Sequence, residues 1–532
     1  MDIFISFIPV ILVIILLLGF KVAGHWAGIA GWVAVMIIAV AFFDTGIDIG
    51  LIASAKGALA SMAVTGMIVT SLLQITFLED TGALARIVVT VKTFAASNKP
   101  VQIMMINVII GTMLVTVGAT PAAILPPIML AMGYSTIISI ALPCLGFDSL
   151  CTYAMLAAPV VVLSDILTGA GFVMPDGGAP TVQAVSIYFS HYLPIITPCI
   201  CSAMLLMVGG PKMWVKGIVP MLITGLGMGF TAMGVSYLGV GIVLTGVIAS
   251  AVTLVLMLLY MKIIKCPVFD RSVLTEEDLE VEKSMPLWKA LSPWALLIFF
   301  CLITNFVPPL YDLTYKTIEM RVKLFPGDSG QPLRLFWQAY FWVIISTIIG
   351  YFIIKPEKGV VGKSLKRWCK RFPAPMVSSV IYFCIAYVMM YSCYAATGEG
   401  GAWVMVDQSK NIIAMWANAA ADVFGMAYPI VNSFLGLLSG FVTGSETSTV
   451  AMFAKYNLLS SEILGLNPLT VIAGGAVGAG LASVLTPVKL QISSASIDKI
   501  GEESIVLGKV LPYSAVLVLI SAIMTQVFCM FG

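Results

Sequence analysis

One short polar string carries the residue types best suited to binding a small ion. It reads Gly444-Ser-Glu-Thr-Ser-Thr449 and lies between two long apolar stretches. Gly444 permits the chain to leave a helix, and Ser445 or Glu446 can cap a new helix that runs to about Leu458. A helix N-terminus offers N–H groups and a positive dipole end to an anion. Hydroxyl groups in and just before the string add donors for a carboxylate or oxygens for a cation, and they belong to Thr443, Ser445, Thr447, Ser448 and Thr449.

Two acidic residues, Glu446 and Asp148, stand within long apolar stretches. A carboxylate at membrane depth is costly unless it has a partner, and there it is by default a functional candidate. Either residue could carry a proton or neutralise a bound Na⁺, which would make it an ion-coupling residue. The alternative is an acid that only caps a helix end, and for Asp148, in Leu145-Gly-Phe-Asp-Ser-Leu150, both interpretations stay open.

A third string, Leu485-Thr-Pro-Val-Lys-Leu-Gln491, brings a cation to the same half of the chain. Lys489 could hold a carboxylate or pair with one of the two acids, and the alternative is a lysine that reaches out to the membrane interface. Gln491 is a weaker candidate for ligand binding. In the first half of the chain, Thr116 and Thr120 flank the matching helix break before Pro121, and we predict that they contribute to substrate binding.

The composition indicates that these strings belong to a membrane protein. Of 532 residues, 60% are hydrophobic and 10% are charged, whereas soluble proteins carry roughly 25% charged residues. Apolar runs at 3–20, 26–43, 238–260 and 336–354 approach the ~20 residues that a helix needs to cross a bilayer. We therefore predict an all-α polytopic membrane protein with about 12–14 transmembrane helices.

Several classes of site are disfavoured by the same sequence. The ten cysteines show no CxxC spacing, and the two histidines, His25 and His191, are far apart. No Walker A string is present, and a net charge of +2 gives no indication of nucleic-acid binding. We expect no enzyme activity and no cofactor, with H⁺ or Na⁺ as a coupling ion.

Two segments of the chain resemble each other. Val115-Thr-Val-Gly-Ala-Thr-Pro121 and Val442-Thr-Gly-Ser-Glu-Thr-Ser448 each follow an apolar stretch and precede a short apolar helix. A proline-containing apolar segment comes later at the same spacing in both, at Pro159 and Pro487. Such a repeat predicts two related halves with discontinuous, broken or re-entrant helices.

Loop charges give the orientation of the two copies. Basic residues favour cytoplasmic loops, and the densest basic run lies in 355–371. Alternation from there puts 79–100 inside, 397–410 outside and the N-terminus outside, so that the repeats have inverted topology. The predicted divisions are a first repeat at 1–210, bridging helices at 211–262, a cytoplasmic linker at 263–289 and a second repeat at 290–532.

The stretch 440–458 resembles the L-lactate permease family. Those proteins carry a phrase of the form F-L-T-G-S-D/E-T-S-x-x-x-x-F, and here it reads Phe441-Val-Thr-Gly-Ser-Glu-Thr-Ser-Thr-Val-Ala-Met-Phe453. The region 473–496 and Gly501-Glu-Glu-Ser504 are similar to the family's closing region. The resemblance implies cation-coupled uptake of lactate, glycolate or similar 2-hydroxy monocarboxylates across a prokaryotic inner membrane. The residues it implies are Gly444, Ser445, Glu446, Thr447, Ser448 and Lys489.

The chain also departs from the family pattern. The family's first-repeat phrase resembles E-G-A-A-G-F-G-A-P, but here Met113-Leu-Val-Thr-Val-Gly-Ala-Thr-Pro121 has no acidic residue. Ser494 stands where the family has proline. The expectation is a symporter, with H⁺ favoured over Na⁺; another carboxylate, a sulfonate or cation/proton exchange stays open. Expected partners are a small organic anion and the lipid bilayer, without nucleic acid, and a homodimer stays open.

Overall fold

The computed structural model describes residues 2–20, 22–116, 120–169, 171–174, 177–239, 242–328 and 330–531. Over these residues the chain is almost entirely helical, as an apolar environment requires, because helices satisfy their own backbone hydrogen bonds. Ten helical segments there are long and apolar enough to cross a membrane, and one helix pair bent by 43° would make eleven. Four further apolar helices are shorter, which accounts for the difference from the predicted 12–14. The protein is an all-α polytopic membrane protein.

The helices of the first half run from the N-terminus to residue 216. They are α1 (Asp2–Ile14), α2 (Gly24–Phe42), α3 (Ile47–Ala60), α4 (Met62–Asp80), α5 (Ala83–Thr93), α6 (Lys99–Ile103), α7 (Gly111–Thr116), α8 (Pro121–Ala131), α9 (Thr136–Phe147), α10 (Ala154–Gly169), α11 (Val182–Ser190) and α12 (Leu193–Lys216).

The remaining helices continue to the C-terminus. They are α13 (Ile218–Leu238), α14 (Thr245–Ile263), α15 (Glu276–Ser284), α16 (Leu287–Phe306), α17 (Pro308–Tyr311), α18 (Ala339–Ile354), α19 (Val360–Arg371), α20 (Pro373–Met390), α21 (Ile412–Phe424), α22 (Tyr428–Thr443), α23 (Glu446–Leu464), α24 (Pro468–Leu481), α25 (Pro487–Ser496) and α26 (Glu503–Phe531).

Short irregular elements complete the described chain. A 3₁₀ turn, Asp148–Tyr153, joins α9 to α10, and a π-helical segment, Met104–Ile110, lies between α6 and α7. Strands β1 (Met320–Val322) and β2 (Gln331–Leu333) form one antiparallel hairpin. Strands β3 (Tyr394–Ala395) and β4 (Val404–Met405) form another.

The apolar run 3–20 is helical as predicted, and it changes from α-helix to π-helix after Ile14. Two other predicted helix boundaries were wrong, each for a local reason. The run 238–260 is divided, because Gly239 takes a left-handed conformation (φ 70°) and ends α13, as a glycine readily does. The helix that starts at Glu446 continues past Leu458 to Leu464, where Gly465 ends it in the same way.

Small residues let α24 lie close to its neighbours. This helix packs on α22, α23 and α26. A methyl group at Gly440 would strike the backbone of Ala479, and one at Gly478 would strike the backbone of Ser433. Close approach of helix backbones through glycine is typical of membrane helix packing. The glycine-rich stretch of α24 therefore lets both α22 and α23 pack closely against the same helix.

The short helices that follow the two polar strings cross over to the opposite half of the chain. Helix α8 packs on α9 but also on α25, and α10 packs against α23. Helix α20 contacts α2, α3, α22 and α25 and so links both halves. These contacts bring the 3₁₀ turn after α9 to the start of α23, where the polar string lies.

Candidate functional site

The N-terminal ends of two helices meet at the polar string. Gly444 ends α22 in a left-handed conformation (φ 68°), and Ser445 then caps α23 by accepting a hydrogen bond from the Ser448 N–H (3.2 Å). A methyl group at Gly444 would lie 2.9 Å from Cγ2 of Thr486, which precedes α25. Thr486 Oγ1 in turn donates to the carbonyl of Gly440 (3.2 Å). Glycine is thus required both for the turn and for the contact between the two helix starts.

Glu446 is buried in the first turn of α23, with only 3% of its surface exposed. Its Oε1 accepts a hydrogen bond from Thr152 Oγ1 (2.8 Å) in the 3₁₀ turn. The Cys151 thiol is the second group beside the carboxylate. A methyl group at Gly480 would come within 2.7 Å of Glu446 Oε2, so the carboxylate fills the space that the glycine leaves.

Two further ionisable side chains act on Glu446. They are Asp148, 4% exposed at the start of the 3₁₀ turn, and Lys489, 9% exposed on α25. Cys144 also lies between these elements, because its Sγ approaches both Ser493 Oγ (3.2 Å) and the Lys489 carbonyl (3.9 Å). Two carboxylates and one ammonium group thus share a buried environment, in which charge must be balanced by partners or by protons.

The backbone next to this cluster is strained. Met155, Leu156 and Ala157 have positive φ angles of 50°, 61° and 59°. For residues other than glycine this conformation is costly, and such strain is concentrated at binding and switch sites. The three residues come three to five positions after Thr152 and belong to α10, which packs on α23. The strained turn therefore lies close in the chain to the side chain that donates to Glu446.

The predicted hydroxyl residues have different positions. Thr447 and Ser448 are half-buried in the first turn of α23. Thr449 is buried and pairs with Ser439 Oγ of α22 (2.8 Å). The side chain of Thr443 lies outside the described part of the structure.

The two threonines of the first polar string face other helices. Thr116 Oγ1 donates to the Thr112 carbonyl (2.8 Å), and its side chain contacts Gly246 of α14. Thr120 precedes α8 and accepts a weak hydrogen bond from Ser71 Oγ (3.5 Å). Among the described contacts, neither joins the Glu446 cluster, and residues 117–119 between them lie outside the description.

Gln491 belongs to a second polar network. Its Oε1 accepts from Ser378 Oγ, while its Nε2 donates to Glu503 Oε1 (3.0 Å) and faces His25 Nδ1 (3.3 Å). Gln491 is fully buried on α25, two residues from Lys489. The structure therefore connects it to α2, α20 and α26.

The family of the chain follows from comparison with known proteins. The family model described as L-lactate permease matches residues 2–531. The chain belongs to the L-lactate permease family. This agrees with the resemblance at the polar string, which lies at the start of α23.

Individual relatives in this family are distant. An L-lactate permease of Streptococcus iniae is 22% identical over 34% of this chain and 35% of its own length. The glycolate permease GlcA of Escherichia coli K12 is 24% identical over 39% of this chain and 34% of its own length. An L-lactate permease of the same organism is 31% identical over 15% of this chain and 14% of its own length. The chain thus matches about a third or less of each of these relatives.

Sequence reasoning missed part of the site of this lactate permease family member. Cys151 and Thr152 were not predicted, because a hydroxyl and a thiol in an apolar run look like ordinary packing residues. The strained residues 155–157 gave no glycine or asparagine signal. Pro159 lies two residues after this run but restricts only Ala158, so it did not indicate the left-handed conformation either.

Proposed function

We propose that this membrane protein is a secondary transporter that carries a small 2-hydroxy monocarboxylate, of the lactate or glycolate type, together with a cation. The observation that carries the proposal is the buried group of Glu446, Asp148 and Lys489 beside two helix starts. The expected location is a prokaryotic inner membrane, in agreement with the organisms of the relatives.

Charge balance supports coupling to a cation. One lysine can neutralise one carboxylate, but this group already holds Glu446 and Asp148. A substrate carboxylate adds another negative charge in a buried environment, where uncompensated charge is strongly disfavoured. Binding is therefore favourable when a proton or a Na⁺ ion enters with the anion. Protonation is the simpler solution, because carboxylic acids at buried sites readily hold protons.

The donors around the group suit a hydroxy acid. The first N–H groups of a helix have no acceptor within the helix, and they carry the positive end of its dipole. Helices α23 and α25 both begin here, next to the Lys489 ammonium. The hydroxyls of Thr447 and Ser448 lie one residue or two beyond Glu446 and can meet the substrate's 2-hydroxyl. These features favour a small anion over a bulky one.

The order of elements supports an alternating-access plan. The series α5, α6–α7, α8, α9, α10 has the same order as α21, α22, α23, α24, α25, although α8 and α23, and α10 and α25, differ in length. Helix α8 packs on α25 while its counterpart α23 packs on α10, which is the counterpart of α25. Contacts exchanged in this way are what two related halves would make around a central site.

Cation/proton exchange is the second candidate, because Glu446 and Asp148 could bind a cation directly. Lys489 in the same group argues against it, since an ammonium repels a cation. Other carboxylates or a sulfonate remain competing substrates, because their charge would suit the same donors.

Uptake by purified protein in proteoliposomes tests the proposal. Labelled lactate is added under an inward proton gradient (outside acidic) alone, an inward Na⁺ gradient alone, or neither. Unlabelled acids are then added as competitors. We expect accumulation under the pH gradient, with competition by glycolate and not by long-chain acids. Absence of lactate and glycolate exchange under every condition would contradict the substrate assignment. Accumulation under the Na⁺ gradient alone would show that the coupling ion is Na⁺ and not a proton.

A further inference from the structure

A second buried carboxylate lies outside the proposed substrate site. Glu503 is 1% exposed in the first turn of α26, and among the described residues it forms no ion pair. Its Oε2 accepts from the Gly501 N–H (2.6 Å), and its Oε1 accepts from Gln491 Nε2 (3.0 Å) and the Gly24 N–H (3.4 Å). Three separate segments of the chain therefore converge on a single carboxyl group.

A histidine gives this carboxylate a neighbour that can exchange protons. His25, next to Gly24 on α2, is half-buried, and its imidazole lies within electrostatic reach of Glu503. Histidine is the side chain that most readily gains and loses a proton near neutral pH. Tyr382 on α20 is a further titratable group near Glu503, and its hydroxyl donates to the Gly24 carbonyl (3.0 Å).

Hydrogen bonding fixes the roles of the groups in between. The Gln491 amide oxygen accepts from Ser378, so the amide nitrogen must provide the hydrogens for Glu503 and His25. His25 Nδ1 is then an acceptor, which is the neutral imidazole form. If Nδ1 of His25 gained a proton, its N–H would face the N–H of the Gln491 amide, and two donors cannot form a hydrogen bond. The imidazole ring or the amide would then have to turn. The protonation state of His25 is thus linked to a residue of α25.

Helix α25 connects this network to the substrate site. It is ten residues long, or about 15 Å at 1.5 Å per residue. It begins beside Gly444 and Gly24, where a methyl group on Gly24 would lie 2.9 Å from Pro487 Cβ. Lys489 and Gln491 stand two residues apart along it. The loop that follows α25 pairs Asp498 with Arg371 (2.7 Å), at the end of the basic helix α19.

We propose that Glu503 and His25 form a proton port, through which the coupling proton passes between the substrate site and water at the end of the molecule that carries α19. The inference rests on the proposed proton coupling. The step is proton transfer alone and passes through one bridging water, because Gln491 lies between the two groups. The carboxylic O–H bond of Glu503 breaks as that water accepts the proton, the water gives one of its own protons to His25 Nδ1 as the Gln491 amide turns away, and outside water then accepts the proton from the imidazolium. Gln491 positions both groups and takes no proton.

The role proposed for Glu503 and His25 can be distinguished experimentally from the role proposed for Glu446. Removing a port slows net proton movement, whereas removing the coupling carboxylate changes how many protons accompany each substrate. In Glu503→Gln and in His25→Gln, we expect substrate-driven proton flux to fall at least about tenfold, in line with the loss of a positioned proton-transfer group. Lactate counterflow, which needs no net proton movement, should stay within about twofold of the unchanged protein.

Reconstituted protein with an internal pH dye and labelled lactate supplies both readouts. The matched control is Glu502→Gln, the half-buried neighbouring glutamate, which should change neither rate. Glu503→Asp should keep more proton flux than Glu503→Gln, and millimolar imidazole should restore flux to His25→Ala. If Glu503→Gln fails to reconstitute, the His25 pair carries the test.

Two results would overturn the port. One is full proton flux in the His25 and Glu503 variants. The other is an equal loss of counterflow and proton flux, which would mean that the network only stabilises the packing of α2, α25 and α26. Counterflow by the unchanged protein tests the proposed function separately, because it does not depend on either residue's protonation.

Discussion

At Glu446, a single carboxylate is held by a hydroxyl from the other half of the chain and by the space that one glycine leaves. Sequence alone singled out Glu446, Asp148 and Lys489 as candidates, because ionisable residues are rare in apolar runs, and the structure buries all three. Sequence alone could not identify Thr152 or Gly480, since each matters through a contact made only on folding, and Thr152 is 294 residues away from Glu446 in the chain. Gln491 was placed beside the substrate by its position near Lys489, whereas the structure joins it to Glu503.

Gly480→Ala tests the space beside the carboxylate. The added methyl group would lie 2.7 Å from Glu446 Oε2 and must displace it. We expect coupled lactate uptake to fall at least about fivefold, because a group that acts on a bound ion depends on sub-ångström placement. Gly508→Ala is the matched control, since nothing lies within 4 Å of its added methyl group. Equal uptake by both variants would show that Glu446 has room to move.

Lys489→Met tests the anion-binding role at nearly constant side-chain length. Loss of the ammonium should raise the half-saturating lactate concentration in counterflow at least about tenfold, which corresponds to roughly 1.4 kcal/mol. The exposed Lys509→Met on the neighbouring helix serves as control. An unchanged half-saturating concentration would remove Lys489 from the substrate site and leave it as a partner of the two acids.

At the scale of helices, the sequence predicted where one chain break occurs but not the other. Gly444 marks the end of α22, because only glycine adopts the left-handed turn without cost. The left-handed run at 155–157 has no such residue, so no residue type in the sequence indicated it. The positions of the helices in the chain could be predicted from the lengths of the apolar runs. The neighbours that each helix packs against could not, because an apolar surface can pack against any other apolar surface.

Ala157→Gly tests whether that turn stores strain. Alanine at a φ of 59° is disfavoured by roughly 1–2 kcal/mol, so glycine should leave the midpoint of thermal unfolding unchanged or raise it. Ala158→Gly, one residue along and without a positive φ, should lower the midpoint, because glycine costs about 1 kcal/mol in a helix. Thermal unfolding in detergent compares the two. Equal destabilisation would mean that the turn is not strained.

The loop after α25 should make stability depend on acid pH. Burial alone would raise the pKa of Asp498, but hydrogen bonds from Arg371 and Arg367 outweigh it and lower the pKa to about 2. The stabilisation is therefore complete above the unfolded pKa of about 4 and is lost as pH falls toward 2. Asp498→Asn should reduce the unfolding midpoint at pH 7, by an amount that shrinks from pH 4 downwards. A constant difference across that range would contradict the ion pairing.

For the molecule as a whole, composition alone predicted a membrane protein, because a chain with so few charged residues cannot bury all of its apolar surface away from water in a soluble core. The two-part plan was suggested by matched spacing, and its inverted topology remains a prediction. Contacts of α8 with α25 and of α10 with α23 are consistent with it. Both halves of the chain contribute to the proposed site: Asp148 and the Thr152 hydroxyl come from the first, and Glu446 and Lys489 come from the second.

Proton movement driven by substrate tests the central claim most directly, namely that Glu446 binds the proton that accompanies a hydroxy acid. Proteoliposomes with a pH dye inside receive lactate, and protein-free vesicles correct for passive entry of the acid. The unchanged protein should move protons with lactate, and Glu446→Gln should keep lactate counterflow while losing that proton movement. The same number of protons per lactate in both proteins would contradict the account.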